Sequence, residues 1–114
     1  MITGQPVEKI VEVFGGRKTS GQELREWLYS LGVGVSPLKR LRPGTLPFKC
    51  NVVACKTTTR AGKTWKHWIL IENGYTVYDP CINGTHSYEK YVRKGYMDDS
   101  RITSYFVIHA TVDN

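Results

Sequence analysis

The sequence predicts an α+β domain, with helices at the N-terminal side packed on an antiparallel sheet that begins near residue 49. Three observations carry this. The apolar period is helical through Leu31 and becomes extended after Phe48. Two turn signals, Arg60-Ala61-Gly62-Lys63 and Asn73-Gly74, separate apolar runs short enough to pair as hairpins. A chain of 114 residues with 40% hydrophobic and 23% charged side chains makes one domain, which buries roughly two-thirds of its unfolded surface. No repeat, low-complexity tract or long linker divides it, so residues 1–114 are read as a single unit.

Taken in order, residues 6–14 read as a short helix. Pro6 suits the first helical position, and Val7, Ile10, Val11 and Phe14 recur at helical spacing before Gly15-Gly16. Ser20-Gly21-Gln22-Glu23 is a capping box, and Leu24, Trp27, Leu28 and Leu31 form one apolar stripe that Gly32 ends. A helix over 20–31 follows. Pro37, Pro43 and Pro47 break the next stretch, leaving a turn of helix at Leu38–Leu41. Strands are expected over Cys50–Thr57, Thr64–Glu72 and Tyr75–Asp79, with Pro80 closing the third. Residues 86–95 read as helical, and Ile102–Val112, rich in β-branched and aromatic residues, as the last strand.

Composition narrows the function classes. No apolar run approaches the ~20 residues that span a bilayer. The N-terminus has neither a basic region nor a long apolar stretch, so a cytoplasmic domain without membrane contact is expected. Cys50, Cys55 and Cys81 are an odd number without a CxxC motif, which fits reduced thiols. The net charge of +6 is unevenly placed: between Glu26 and Glu72 there is no acid, yet eight cations fall there. Arg60, Lys63 and Lys66, around one turn, are the candidates for contact with an acidic protein or a polyanion; a solvated basic face is the plainer alternative. No groove-reading motif accompanies them, so only weak nucleic-acid binding is expected.

Several motifs fail on their chemistry. Gly62-Lys63-Thr64 lacks the first glycine of a phosphate-binding loop, Thr57 standing there, and has no helix behind it. Pro37 stands where a dinucleotide fingerprint after Gly32-Val33-Gly34 needs its third glycine. Cys50, Cys55, His67, Cys81 and His86 are metal-ligand types, but residues five apart on a strand point to opposite faces. No metal and no cofactor is expected.

The informative stretch runs from Trp65 to Pro80. His67 opens one strand of a hairpin and Asp79 closes the other. With a two-residue Asn73-Gly74 loop, paired positions sum to 147 and the two side chains diverge. With a three-residue Glu72-Asn73-Gly74 loop, pairs sum to 146 and His67 sits opposite Asp79. That register gives a carboxylate able to orient an imidazole, the arrangement that activates a thiol or hydroxyl nucleophile. Trp65 and Trp68 flank His67 as candidate peptide contacts, although aromatic mass on a strand serves packing equally.

This His-Trp, apolar run, turn and Tyr-Asp-Pro resembles the His and Asp strands of papain-like cysteine peptidases, most of all the bacterial branch that cleaves double-glycine leader peptides. Upstream, Met1-Ile2-Thr3-Gly4-Gln5-Pro6-Val7 through Phe14-Gly15 is similar to the family's segment after its nucleophile helix. Thr19-Ser20-Gly21-Gln22-Glu23-Leu24 through Leu31-Gly32-Val33 resembles the helix that follows, and Ser87-Tyr88-Glu89 also fits. The resemblance implies a papain-like fold, peptide-amide hydrolysis, His67 as general base and Asp79 as its orienter. The family's nucleophilic Cys would fall a few residues before Met1, so the chain is either truncated relative to that family or a non-catalytic descendant. Cys50 and Cys55 lie on an expected strand without the helix start that lowers a thiol pKa, and Cys81 would have to fold back to reach His67. The expectation is a hydrolase-like domain without turnover on its own; the alternative is a binding module holding a peptide, or an acidic or polyanionic partner.

Overall fold

A computed structural model describes residues 20–30, 32–82 and 84–109. The helix expected over 6–14 and the end of the last strand, 110–112, lie outside the described residues. The elements are α1 (Gly21–Ser30), β1 (Gly34–Val35), β2 (Lys39–Arg40), β3 (Val52–Arg60), β4 (Lys63–Glu72), β5 (Thr76–Tyr78), β6 (Thr85–Ser87), α2 (Tyr88–Arg93) and β7 (Ser100–His109).

Helix α1 begins as its capping box requires, the Glu23 amide donating to Ser20 Oγ at 3.2 Å. It ends at Gly32, where φ is +83°, while the Val33 amide reaches back to the Leu28 carbonyl at 3.0 Å. The strands form one sheet in the order β1-β7-β3-β4-β5-β6, with β2 also on β7. Every pairing is antiparallel. Hairpins join β3 to β4 and β4 to β5, so the sheet needs no long crossover near the site.

Both faces of the central strands are covered. Leu24 and Leu28 of α1 pack on Val53, Leu70 and Phe106 on one face. Phe48, Val52, Ala54, Ile69, Ile71, Val77 and Ile102 gather around Tyr91 of α2 on the other. Strands buried on both sides read as continuous apolar runs, which explains Val52-Val53-Ala54 and Ile69-Leu70-Ile71. One irregularity keeps β7 in phase with this division. Cys55 pairs with Ser104 but Lys56 with Ile102, so Thr103 is an extra residue. The bulge lets Ile102, Tyr105 and Val107 all meet the α2 side.

Three sequence expectations are corrected. The helical turn at Leu38–Leu41 is instead the edge strand β2, paired through Lys39–Tyr105 and Arg40–Ser104. Residues 86–87 belong to strand β6, so α2 is only Tyr88–Arg93, capped by Ser87. The β4–β5 pairs sum to neither 146 nor 147: Ile71 faces Val77 and Glu72 faces Thr76, with Asn73-Gly74-Tyr75 as the loop. The Tyr75 amide closes the turn on the Glu72 carbonyl at 3.0 Å, and its own carbonyl accepts from Tyr88 N at 2.6 Å. That second bond draws Tyr75 out of the ladder into the loop.

Candidate active site

His67 sits on β4, directly across from Lys56 of β3. The observed β4–β5 register differs by two from the one that would set His67 opposite Asp79. Because side chains alternate with period two, both residues still share a face. Asp79 lies just past β5 and leans diagonally to reach the imidazole. His67 Nε2 and Asp79 Oδ1 are 2.6 Å apart. The carboxylate is buried, at 4% exposure, whereas the His67 side chain keeps 27%.

Every side of Asp79 is engaged. Its Oδ1 also accepts from the Cys81 amide at 2.9 Å, a turn in which an Asp side chain bonds the backbone two residues on. Its Oδ2 accepts from the Tyr91 hydroxyl at 2.6 Å. Lys56 Nζ lies 3.7 Å from Oδ2 and donates to Tyr91 Oη and to the Tyr96 carbonyl, each at 2.8 Å. Burial alone raises the Asp79 pKa, but the bonds from His67, Tyr91 and the Cys81 amide, with the charge of His67, outweigh it and bring it to about 2. Burial and the adjoining carboxylate push the Tyr91 phenol far up, so it stays protonated and donates.

The same turn brings Cys81 back toward the imidazole. Its Sγ lies 4.0 Å from His67 Nδ1, the ring nitrogen that Asp79 leaves open. Burial and the Asp79 charge raise the thiol pKa, with Lys56 opposing, so Cys81 is held as a thiol rather than primed as a thiolate. The three ligand atoms of His67, Asp79 and Cys81 fall within 4.8 Å of one another. Cys50 is exposed and Cys55 buried, and neither joins them.

The other predicted site residues divide. Trp65 is 51% exposed and lines, with Lys56, Thr58 and Tyr96, a cavity of about 380 Å³. Trp68 lies on the opposite face, against Phe106 at 6.1 Å between ring centroids, and under Gly21 of α1. It packs against the core on that side, where together with Trp65 it lines a second cavity of about 670 Å³. Lys63 and Lys66 are exposed near the β3–β4 turn, but Arg60 is bound to Asp99 at 2.9 Å.

Lys56, Tyr91 and the folded-back Cys81 were not singled out as site residues from sequence. For Lys56 the signal existed: a tight Ala61-Gly62 turn pairs Arg60 with Lys63 and therefore Lys56 with His67. For Cys81 it was the Asp79-Pro80-Cys81 turn. Tyr91 had none, because α2 reaches Asp79 only through tertiary packing. Compared with protein-family models, curated proteins and solved structures, the chain has no match.

Proposed function

We propose that the chain is a cysteine peptidase-like hydrolase domain acting on peptide amides, with His67 moving the proton and Asp79 orienting it. The carrying observation is the bond of His67 Nε2 to a buried, fully engaged carboxylate, while Nδ1 faces a thiol at 4.0 Å. A papain-like relationship is part of the same proposal, supported by this pair on one face of neighbouring strands.

In such a reaction Nδ1 takes the proton of a thiol as its sulfur attacks the amide carbon. Asp79 stabilises the imidazolium, which then protonates the departing amine. Water attacks the resulting thioester, again giving its proton to Nδ1, and the acid and free thiol are released. Asp79 remains ionised because Tyr91 donates to its second oxygen and Lys56 balances its charge. None of Cys50, Cys55 and Cys81 stands at a helix start, the position that lowers a thiol pKa, so the chain alone is expected to turn over no peptide.

The test is hydrolysis of activated peptide esters and anilides with an added small thiol as the attacking group. A rate above thiol alone is expected, falling on the order of a hundredfold in His67→Gln, the scale of general-base catalysis. Equal rates for wild type and His67→Gln would overturn the reading.

The second reading, a binding module in the same fold, is favoured by the Trp65-lined cavity beginning at Lys56. A peptide retained equally by wild type and His67→Gln, with no thiol-dependent turnover by either, would select it. For an acidic or polyanionic partner, Lys63 and Lys66 are exposed, and Arg60 meets Asp99 in a solvent-exposed pair.

A further inference from the structure

We infer that His67 Nδ1 and Cys81 Sγ form a binding site for a soft divalent cation of the zinc type, and that its occupation withholds the dyad's base. The inference goes beyond the hydrolase reading and rests on it only for the consequence to catalysis.

Zinc lies about 2.3 Å from a thiolate sulfur and about 2.0–2.1 Å from an imidazole nitrogen. Tetrahedral ligation at those lengths sets the two atoms about 3.6 Å apart, so a closure of about half an ångström from the observed 4.0 Å, within reach of a Cys81 side-chain rotation, lets one ion bridge them. The donor types are those a borderline-soft cation selects. Both groups are reachable from solvent, His67 keeping 27% exposure and Cys81 being exposed.

The surroundings are already those of a metal-bound histidine. Such a residue donates its second ring nitrogen to a carboxylate, which fixes the tautomer and strengthens the ligand. Here Nε2 meets the buried Asp79 at 2.6 Å, leaving the Nδ1 lone pair outward. Cys81 is tethered to the same carboxylate through its amide, so the sulfur needs no loop ordering to reach the ion. The Asp79 carboxylate, bonded to both residues, also draws a cation toward them. Lys56 opposes that attraction but faces Oδ2, on the far side of the carboxylate from the imidazole. With two protein ligands, water completes the shell and the site is open. An ion there ties up the Nδ1 lone pair that would accept the thiol proton.

Calorimetric titration of the full chain with Zn²⁺, in a non-thiol reductant near neutral pH, tests this without any substrate. One ion per chain is expected, with release of a proton as the Cys81 thiol ionises. Cys81→Ser and His67→Gln should each weaken binding at least tenfold, whereas Cys50→Ser should not. Melting temperature gives a second readout: zinc should raise it in wild type and in Cys50→Ser but not in Cys81→Ser. Undiminished affinity in Cys81→Ser, or no binding by wild type, would overturn the inference. Loss of hydrolysis in the thiol assay with zinc binding intact would instead remove the hydrolase reading alone.

Discussion

Asp79 keeps its charge where almost no water reaches it because protein donors replace the water. His67, Tyr91 and the Cys81 amide all bond its two oxygens. Its pKa falls from 3.8 to about 2, so the folded state binds this proton less readily than the unfolded chain. The stabilisation is present above pH ~4 and is lost as the pH falls toward ~2, amounting to roughly 2 kcal/mol. Urea unfolding at both ends of this window should show that loss. Asp79→Asn should lack this part of the slope and be less stable at neutral pH by roughly 3 kcal/mol, since Lys56 is left buried without its partner. An unchanged slope in the variant would contradict the assignment. At this scale His67 and Asp79 were legible as a pair because both are chemical residue types at the ends of one hairpin. Tyr91 was not, because a tyrosine on a six-residue helix carries no mark of the carboxylate it meets.

The β4–β5 hairpin sets the angle at which that pair meets, and its loop is held from outside. Gly74 adopts φ +73°, and a Cβ placed there would run into the Phe48 carbonyl oxygen, which is backbone and cannot swing away. Gly62, in the β3–β4 turn, has φ +78° but nothing within 4 Å of such a Cβ. Gly62→Ala should therefore cost only the left-handed strain, about 1–2 kcal/mol. Gly74→Ala should cost clearly more and weaken the His67–Asp79 alignment, read as a larger drop in urea midpoint together with loss of thiol-dependent turnover. Equal midpoints would mean that Phe48 does not brace the loop. The long strands β3, β4 and β7, the short β5 and helix α1 were readable because local signals agree there: the Ser20 cap, the Gly32 stop and the Asn73-Gly74 turn. The register was not, because the Tyr88 amide that draws Tyr75 from the ladder comes from another element. Nor was β2, where Lys39 and Arg40 are extended only because β7 offers them an edge.

Across the molecule, the sheet separates two jobs. The face under α1 is closed by Leu24, Leu28, Trp68 and Phe106, and supplies core packing. The other face carries a second core up to Ile69, then gives way to Lys56, His67 and Asp79 toward the β3–β4 turn. The positive charge is divided in the same way. Lys56 serves the carboxylate and Arg60 meets Asp99, so these two cations of the basic segment are engaged within the molecule. Among the described residues no helix is long and apolar enough to cross a membrane. The central claim is that the fold holds His67 in one tautomer, with the proton on Nε2 and the Nδ1 lone pair free. Nitrogen-15 NMR of the histidine rings, followed upward in pH until the ring shifts stop changing, measures this directly. The expected result for His67 is a protonated, slowly exchanging Nε2 coupled to Asp79 and an unprotonated Nδ1; a proton on Nδ1, or an even mixture of tautomers, would contradict it.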